Sequence, residues 1–220
     1  MVEASLPVQV LWVGSAFLCG TLPSAVWLGR IRGVDIRREG SGNPGASNLG
    51  RVCGRPWGVA CFIVDLLKGL LPVLGYGAVV AGDGWGWSVG WVGVAVAAVL
   101  GHVLNPWLGF RGGKGVATGL GAVLGFWPAL TAAGLAAFTV WLACMLRWGY
   151  VGLASVVAAA VAPLLVAVAC WWFAWPLPRA VPVLAMVTAL ATMILVRHRK
   201  NLQRLRAGTE QRAAWAVRGN

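Results

Sequence analysis

Three polar segments of an otherwise apolar chain hold the residues best suited to chemistry. The first reads Gly40-Ser41-Gly42-Asn43-Pro44-Gly45-Ala46-Ser47-Asn48-Leu49-Gly50-Arg51. Its glycines let backbone N–H groups converge on a bound group, Ser and Asn add short polar side chains, and Arg51 adds charge. Such a surface can form an anion-binding nest. The second, Gly109-Phe110-Arg111-Gly112-Gly113-Lys114-Gly115, puts a lysine among glycines immediately before an apolar run. A helix starting there would add partial positive charge. The third is Arg197-His198-Arg199-Lys200-Asn201. If it stays helical, His198 and Asn201 share one face, and Gly208 stops the helix before Glu210. Arg199, Lys200, Arg204 and Arg206 read better as a basic face on anionic lipid.

The second segment is no nucleotide-binding P-loop. Leu108 stands where that motif needs its first glycine, Gly115 follows the lysine, and no strand precedes it. No nucleophile stands out either: there is no Gly-x-Ser-x-Gly elbow, no His-x-x-x-x-Asp, no Cys/His pair and no metal-ligand spacing. An enzyme built from these residues must receive an electrophile that is already activated. His102 closes an apolar stretch and reads equally as a hydrogen-bonded packing residue or a functional one. Asp65 and Lys68 lie three apart inside another stretch, so they are expected to satisfy each other or nearby loop groups. The five cysteines are an odd number with no Cys-x-x-Cys, and read as small packing residues.

The elements that must position these groups are membrane helices. Of 220 residues, 59% are hydrophobic and 11% charged, against about 25% charged in a soluble domain. The expectation is an all-α polytopic membrane protein, one domain over residues 1–220. The opening apolar run lacks a basic n-region and is too long for a signal-peptide core, so it reads as a retained span. Apolar stretches cover residues 6–28, 57–81, 87–108, 116–146, 150–173 and 181–196. The fourth, at 31 residues, is too long for one span and interrupted by Pro128. Charge decides how it is divided. Six arginines between residues 30 and 55, and seven basic residues between 197 and 218, both belong on the cytoplasmic side. That requires seven spans, the fourth short and turning near Trp127-Pro128, with the N-terminus outside and the C-terminus cytoplasmic. The net charge of +12 is then topology rather than a nucleic-acid surface. Residues 81–87 and 173–180 form short outer loops rich in tryptophan, read as interface anchors.

Taken together and in order, the three segments resemble the bacterial acyl-phosphate:glycerol-3-phosphate acyltransferase (PlsY) family. The likeness extends through Gly101-His102, Val116-Ala117-Thr118, Asp65 with Lys68-Gly69, and Arg204, Gly208 and Glu210. Ser47 stands where the family usually has Thr, and Arg111 where it usually has Lys. The resemblance implies transfer of an acyl group from acyl phosphate to the sn-1 hydroxyl of glycerol 3-phosphate in phospholipid synthesis. It further implies a multi-pass protein of the bacterial inner membrane, an active site facing the cytoplasm, no cofactor or metal, and a functional link to the enzyme that makes acyl phosphate. It assigns Ser41, Arg51, Lys114, His198 and Asn201 to glycerol 3-phosphate and the reaction. Gly42, Asn43, Gly45, Ser47 and Asn48 fall to the acyl-phosphate phosphoryl group, with His102, Arg111, Gly112 and Gly113 as further binding residues. The acyl chain would lie in an apolar groove. The rival is an organic-phosphate transporter using the same anion-binding loops. Against it stand the lack of an internal repeat and the placement of every polar motif on one side, where many transporters bind near the midplane.

Overall fold

The computed structural model describes residues 2–82 and 84–213. Its only strands among them are Val2–Glu3 and Val80–Ala81, which pair in parallel and set the first of these segments beside the end of the helix that closes at Val79. Helices α1 (Leu6–Gly20) and α2 (Ser24–Ile31) form one apolar rod. It is interrupted where Pro23 lacks an N–H and Thr21 Oγ1 bonds back to Leu18 O at 2.7 Å. A short α3 (Ala46–Val52) follows the first glycine-rich loop, then α4 (Arg55–Val79) and α5 (Trp85–Val103). The second polar segment leads into α6 (Val116–Leu124), and α7 (Ala129–Trp148), α8 (Val151–Trp172) and α9 (Leu177–Arg197) complete the bundle. The last helix, α10, is Arg199–Arg206.

Among the described residues, six rods are long and apolar enough to cross a membrane, where the sequence predicts seven. The fourth apolar stretch divides into α6 and α7 around Pro128, but α6 has only nine residues, about 13.5 Å at ~1.5 Å per residue. It is short because residues 104–115, which would have extended it, are committed to the polar turn. Helix α6 instead meets the middle of α4. Gly69 lies against Thr118 and Ala122, Gly121 against Leu66 and Leu70, and Gly125 against Val73. These contacts advance together, so α4 and α6 run in the same direction. A Cβ at Gly69 or Gly121 would strike a backbone carbonyl of the partner helix. Close approach through small residues is how helices associate when lipid removes the hydrophobic drive. Large apolar side chains such as Leu11, Leu71, Leu135 and Leu164 point outward from the bundle.

Away from the polar loops, an aromatic core joins the helices. Trp91 lies 4.5 Å from Phe126 and 4.7 Å from Trp87, ring centre to ring centre. The Trp91 and Trp87 indole N–H groups donate to Val73 O and Val80 O, and the Arg179 guanidinium stacks on Trp87 and Trp175. Trp87, which the sequence places among interface anchors, is therefore a buried packing residue, as is Trp91. Trp85, Trp171 and Trp172 are exposed.

Candidate active site

The site is assembled from the first loop outward. Asn48, fully buried, donates to Ile36 O and Glu39 O and accepts from Ser41 N at 2.8 Å. Its amide thus closes the glycine-rich loop on itself and sets Ser41 in place. Gly40 adopts φ +58 and packs on the Asn48 amide, so a side chain would strain the backbone and collide there. Arg51, one turn along α3 from Ser47, donates to Ser47 Oγ at 3.0 Å and Ser41 Oγ at 3.2 Å. Its Nε is buried without a protein partner.

The second loop meets the first across a cleft. Gly109 and Phe110 are both left-handed, with φ near +60. This turn sends Gly112, Gly113 and Lys114 inward and leaves Arg111 exposed, away from the groove described below. Arg197, at the end of α9, donates to both Gly112 O and Gly113 O and so clamps the loop. The Lys114 ammonium bonds Asn201 Oδ1. Asn201 Nδ2 in turn donates to Glu210 Oε1 at 2.6 Å, and Arg204 Nε to Glu210 Oε2 at 2.7 Å.

The helix expected to run through the third segment breaks instead. His198 ends α9, and α10 departs from it. Both His198 and Asn201 nevertheless reach the groove. His198 is buried, with Nδ1 2.8 Å from Ile194 O; a carbonyl can only accept, so Nδ1 carries the proton and Nε2 is left as an acceptor. Burial, then the nearby Lys114 charge, hold its pKa down to about 4. Burial also lowers the Lys114 pKa to about 8, Glu210 opposing and Arg204, Arg51 and Arg197 adding to the shift. Gly208 (φ +71) ends the run after α10, and Ala213 N then donates to Gly149 O at 2.8 Å. Residues 207–213 thus form a strap from α10 to the turn between α7 and α8.

One groove unites these groups. Its polar end is lined by Ser41, Asn43, Gly45, Ser47, Asn48, Arg51, His102, Lys114, His198 and Asn201, and by Arg204 and Glu210. It continues into an apolar lane whose walls include Phe62, Phe138, Ala158, Ala162, Val166 and Val187. Together they enclose about 1480 Å³ of space, counting the open mouth. Gly42, Gly112 and Gly113 shape the loops without lining the groove. Asp65 and Lys68 pair at 2.6 Å beneath the site, with Ser24 Oγ on Asp65 at 2.5 Å and Lys68 on Leu22 O at 2.7 Å. This is the mutual satisfaction that their spacing predicts. Sequence reasoning gave no role to Glu210 or Arg197. The signals for Glu210 are its place in the family likeness and its standing as a carboxylate in a basic tail. No group of three or more metal-ligating side chains occurs among the described residues.

An apolar helical bundle with a recessed, cation-rich cleft is the architecture of an integral membrane protein that receives anionic groups. Residues 10–208 match the family model described as Glycerol-3-phosphate acyltransferase. The chain is 41% identical to the glycerol-3-phosphate acyltransferase of Geobacter sulfurreducens, covering 93% of this chain and 97% of that one. It is 39% identical to the enzyme of the same name from Trichlorobacter lovleyi, over 92% and 96% of the two chains. In three dimensions it resembles the crystal structure of PlsY, an integral membrane glycerol 3-phosphate acyltransferase, in its glycerol 3-phosphate form. The TM-score is 0.78 at 36% identity, over 93% and 95% of the chains; the lysophosphatidic acid form gives 0.76. The chain belongs to the glycerol-3-phosphate acyltransferase family.

Proposed function

We propose that this membrane enzyme moves a fatty acyl group from acyl phosphate to the sn-1 hydroxyl of glycerol 3-phosphate, yielding lysophosphatidate and inorganic phosphate for phospholipid synthesis. The observation that carries this reading is the continuity of the groove: a cation-lined end fit for phosphate runs into an apolar lane fit for an acyl chain. Arg51, Ser41, Lys114, His198 and Asn201 hold glycerol 3-phosphate, and the turn holding Asn43, Gly45, Ser47 and Asn48 receives the phosphoryl group of the donor. The hydroxyl oxygen bonds to the carbonyl carbon, whose oxygen takes up the π electrons. The oxygen's electron pair then re-forms the carbonyl as the carbon–oxygen bond to phosphate breaks, and phosphate leaves with the electrons of that bond. His198 Nε2 accepts the hydrogen bond of the attacking hydroxyl and orients it, and the proton ends on the released phosphate.

No acyl-enzyme is required, because a mixed anhydride already carries a good leaving group. Holding two reactants in register supplies about 7–11 kcal/mol. A general base adds a factor of ~10²–10⁴, or about 3–5 kcal/mol, so positioning and charge neutralisation are the larger contributions. We place the polar end on the cytoplasmic face of the bacterial inner membrane, with α6 as the short fourth of seven crossings. The shared direction of α4 and α6 and the collection of basic residues at the polar end support that orientation.

The test is a single assay of purified protein with glycerol 3-phosphate and either acyl phosphate or acyl-CoA. Lysophosphatidate is expected from acyl phosphate alone. Turnover with acyl-CoA, or none with acyl phosphate, overturns the donor assignment.

A further inference from the structure

Helix α10 carries two of the groove's side chains and has little of its own to hold it. It is eight residues long, and none of them is fully buried. A helix so short is marginal in water unless packing supports it. Its inner face bears Asn201, bonded to Lys114 and Glu210, and Arg204, bonded to Glu210. Leu202 and Leu205 on the same side are only half-buried. Asn201 nevertheless sits closely, since a Cβ on Gly152 would collide with its side chain. A thinly packed helix therefore fixes a residue of the site.

The outer face offers the missing support. Arg199, Gln203 and Arg206 follow at i, i+4 and i+7, with Lys200 beside them, and all four are exposed. The three cations pair with no carboxylate among the described residues. Arg204, which the sequence groups with them, turns instead onto Glu210. Neighbouring elements set the depth of this face. His198 alone separates α10 from α9, a rod of membrane length. Through Asn201 and Gly152, α10 lies on the start of α8. Just before that start, the end of membrane-length α7 exposes Trp148 with Arg147 stacked on it. Indole and cation together mark the headgroup level of a bilayer. A basic face at that level meets lipid headgroups before it meets an acidic protein.

We propose that α10 is an electrostatic docking helix: its face of Arg199, Lys200 and Arg206 binds the headgroups of anionic phospholipids around the protein, and this contact holds Asn201 in the site, so that the reaction rate follows the anionic-lipid content of the membrane. The link to rate rests on the proposed reaction; the docking does not. Each basic residue near an anionic surface favours binding about fivefold, so three shift the docked helix on the order of 10²-fold, and salt reverses the shift.

The first test uses the purified full chain in vesicles of phosphatidylcholine with an increasing share of phosphatidylglycerol. With acyl phosphate and glycerol 3-phosphate both saturating, kcat is expected to rise severalfold as the anionic lipid increases and to fall back in high salt, with no other protein present. The triple variant Arg199→Gln/Lys200→Gln/Arg206→Gln is expected to match the wild type in pure phosphatidylcholine and to show no rise. Arg199→Lys/Arg206→Lys keeps the charge and is expected to keep the rise. A wild-type kcat indifferent to phosphatidylglycerol, a rise that survives in the triple variant, or one that needs added cytosolic protein overturns the proposal. The second test needs no turnover. A fluorophore on Gln203→Cys, in a chain whose half-buried Cys19 and Cys53 are replaced by Ser, is expected to be quenched more strongly by headgroup-nitroxide lipid as phosphatidylglycerol is added, and the triple variant to lose that response. Quenching indifferent to phosphatidylglycerol overturns the docking. If the wild type makes no lysophosphatidate from acyl phosphate, the proposed function fails instead, while the quenching still reads whether α10 docks.

Discussion

Lys114 is the residue whose protonation most directly sets the site's charge. Its pKa is lowered to about 8 by burial first and neighbouring arginines second, so the free enzyme holds the ammonium at neutral pH and loses it as pH rises through about 8. The expected result is a kcat/KM for glycerol 3-phosphate that falls on the alkaline side of pH 8. In Lys114→Met this limb is absent, and activity is about 10²-fold lower throughout, as a lost charge-assisted hydrogen bond of ~3 kcal/mol dictates. His198, with a pKa near 4, stays neutral from pH 5 upward and contributes no limb there. His198→Gln is expected to reduce kcat well below that of Arg199→Gln, because Arg199 is exposed; equal effects in the acyl-transfer assay would return His198 to a packing role. The family resemblance singled out Ser41, Arg51, Lys114, His198 and Asn201, and the fold brings all five to one groove. The pairing of Glu210 with Asn201 and Arg204 was not legible, since it exists only once the tail has folded back. The charge of Arg111 could be read from the sequence, whereas the left-handed turn at Gly109 and Phe110 that points it outward could not.

At the scale of elements, helices pack backbone to backbone where function needs them close. Gly69 and Gly121 let α6 lie against α4, and Gly112 and Gly113 let a loop lie against an imidazole. The apolar lane beyond follows α8 from Gly152 to Val166, about 21 Å at ~1.5 Å per residue. A saturated chain built from ~1.52 Å single bonds advances roughly 1.25 Å per carbon, so the lane admits about seventeen carbons. Ala162→Phe should block its deeper part and shift the preferred acyl phosphate several carbons shorter without changing KM for glycerol 3-phosphate; competition between acyl phosphates of different length reads this directly. The division of the fourth apolar stretch was readable from its length and Pro128. A short fourth span was expected as well; the break at His198 was not, because it depends on where a ring must sit, and apolar periodicity records only which faces avoid water. The burial of Trp87 and Trp91 was hidden for the same reason, as a tryptophan near a helix end serves equally as anchor or as core.

For the whole molecule, polarity along the helix axis is the governing feature. The three chemical segments gather at one end, and the aromatic core occupies the other. If that polar end faces the cytoplasm, a cysteine replacing exposed Arg38 in sealed inner-membrane vesicles of right-side-out orientation should resist a membrane-impermeant maleimide, and one replacing exposed Trp172 should react. The reverse pattern would invert the orientation. Charge distribution made this asymmetry legible from the sequence. The predicted basic tail extends to Arg218, which lies outside the described residues.

The strap of residues 207–213 offers a way to watch the site without turnover. Glu210 holds Arg204 and Asn201, and Asn201 holds Lys114; an arriving phosphate therefore bids for cations already linked to this carboxylate. Occupancy is thereby coupled to the position of a surface segment, and Thr209 beside Glu210 is exposed. A fluorophore on a cysteine at that position would turn the chain's own carboxylate into a reporter, titrating glycerol 3-phosphate by signal alone in protein that has been given no acyl donor.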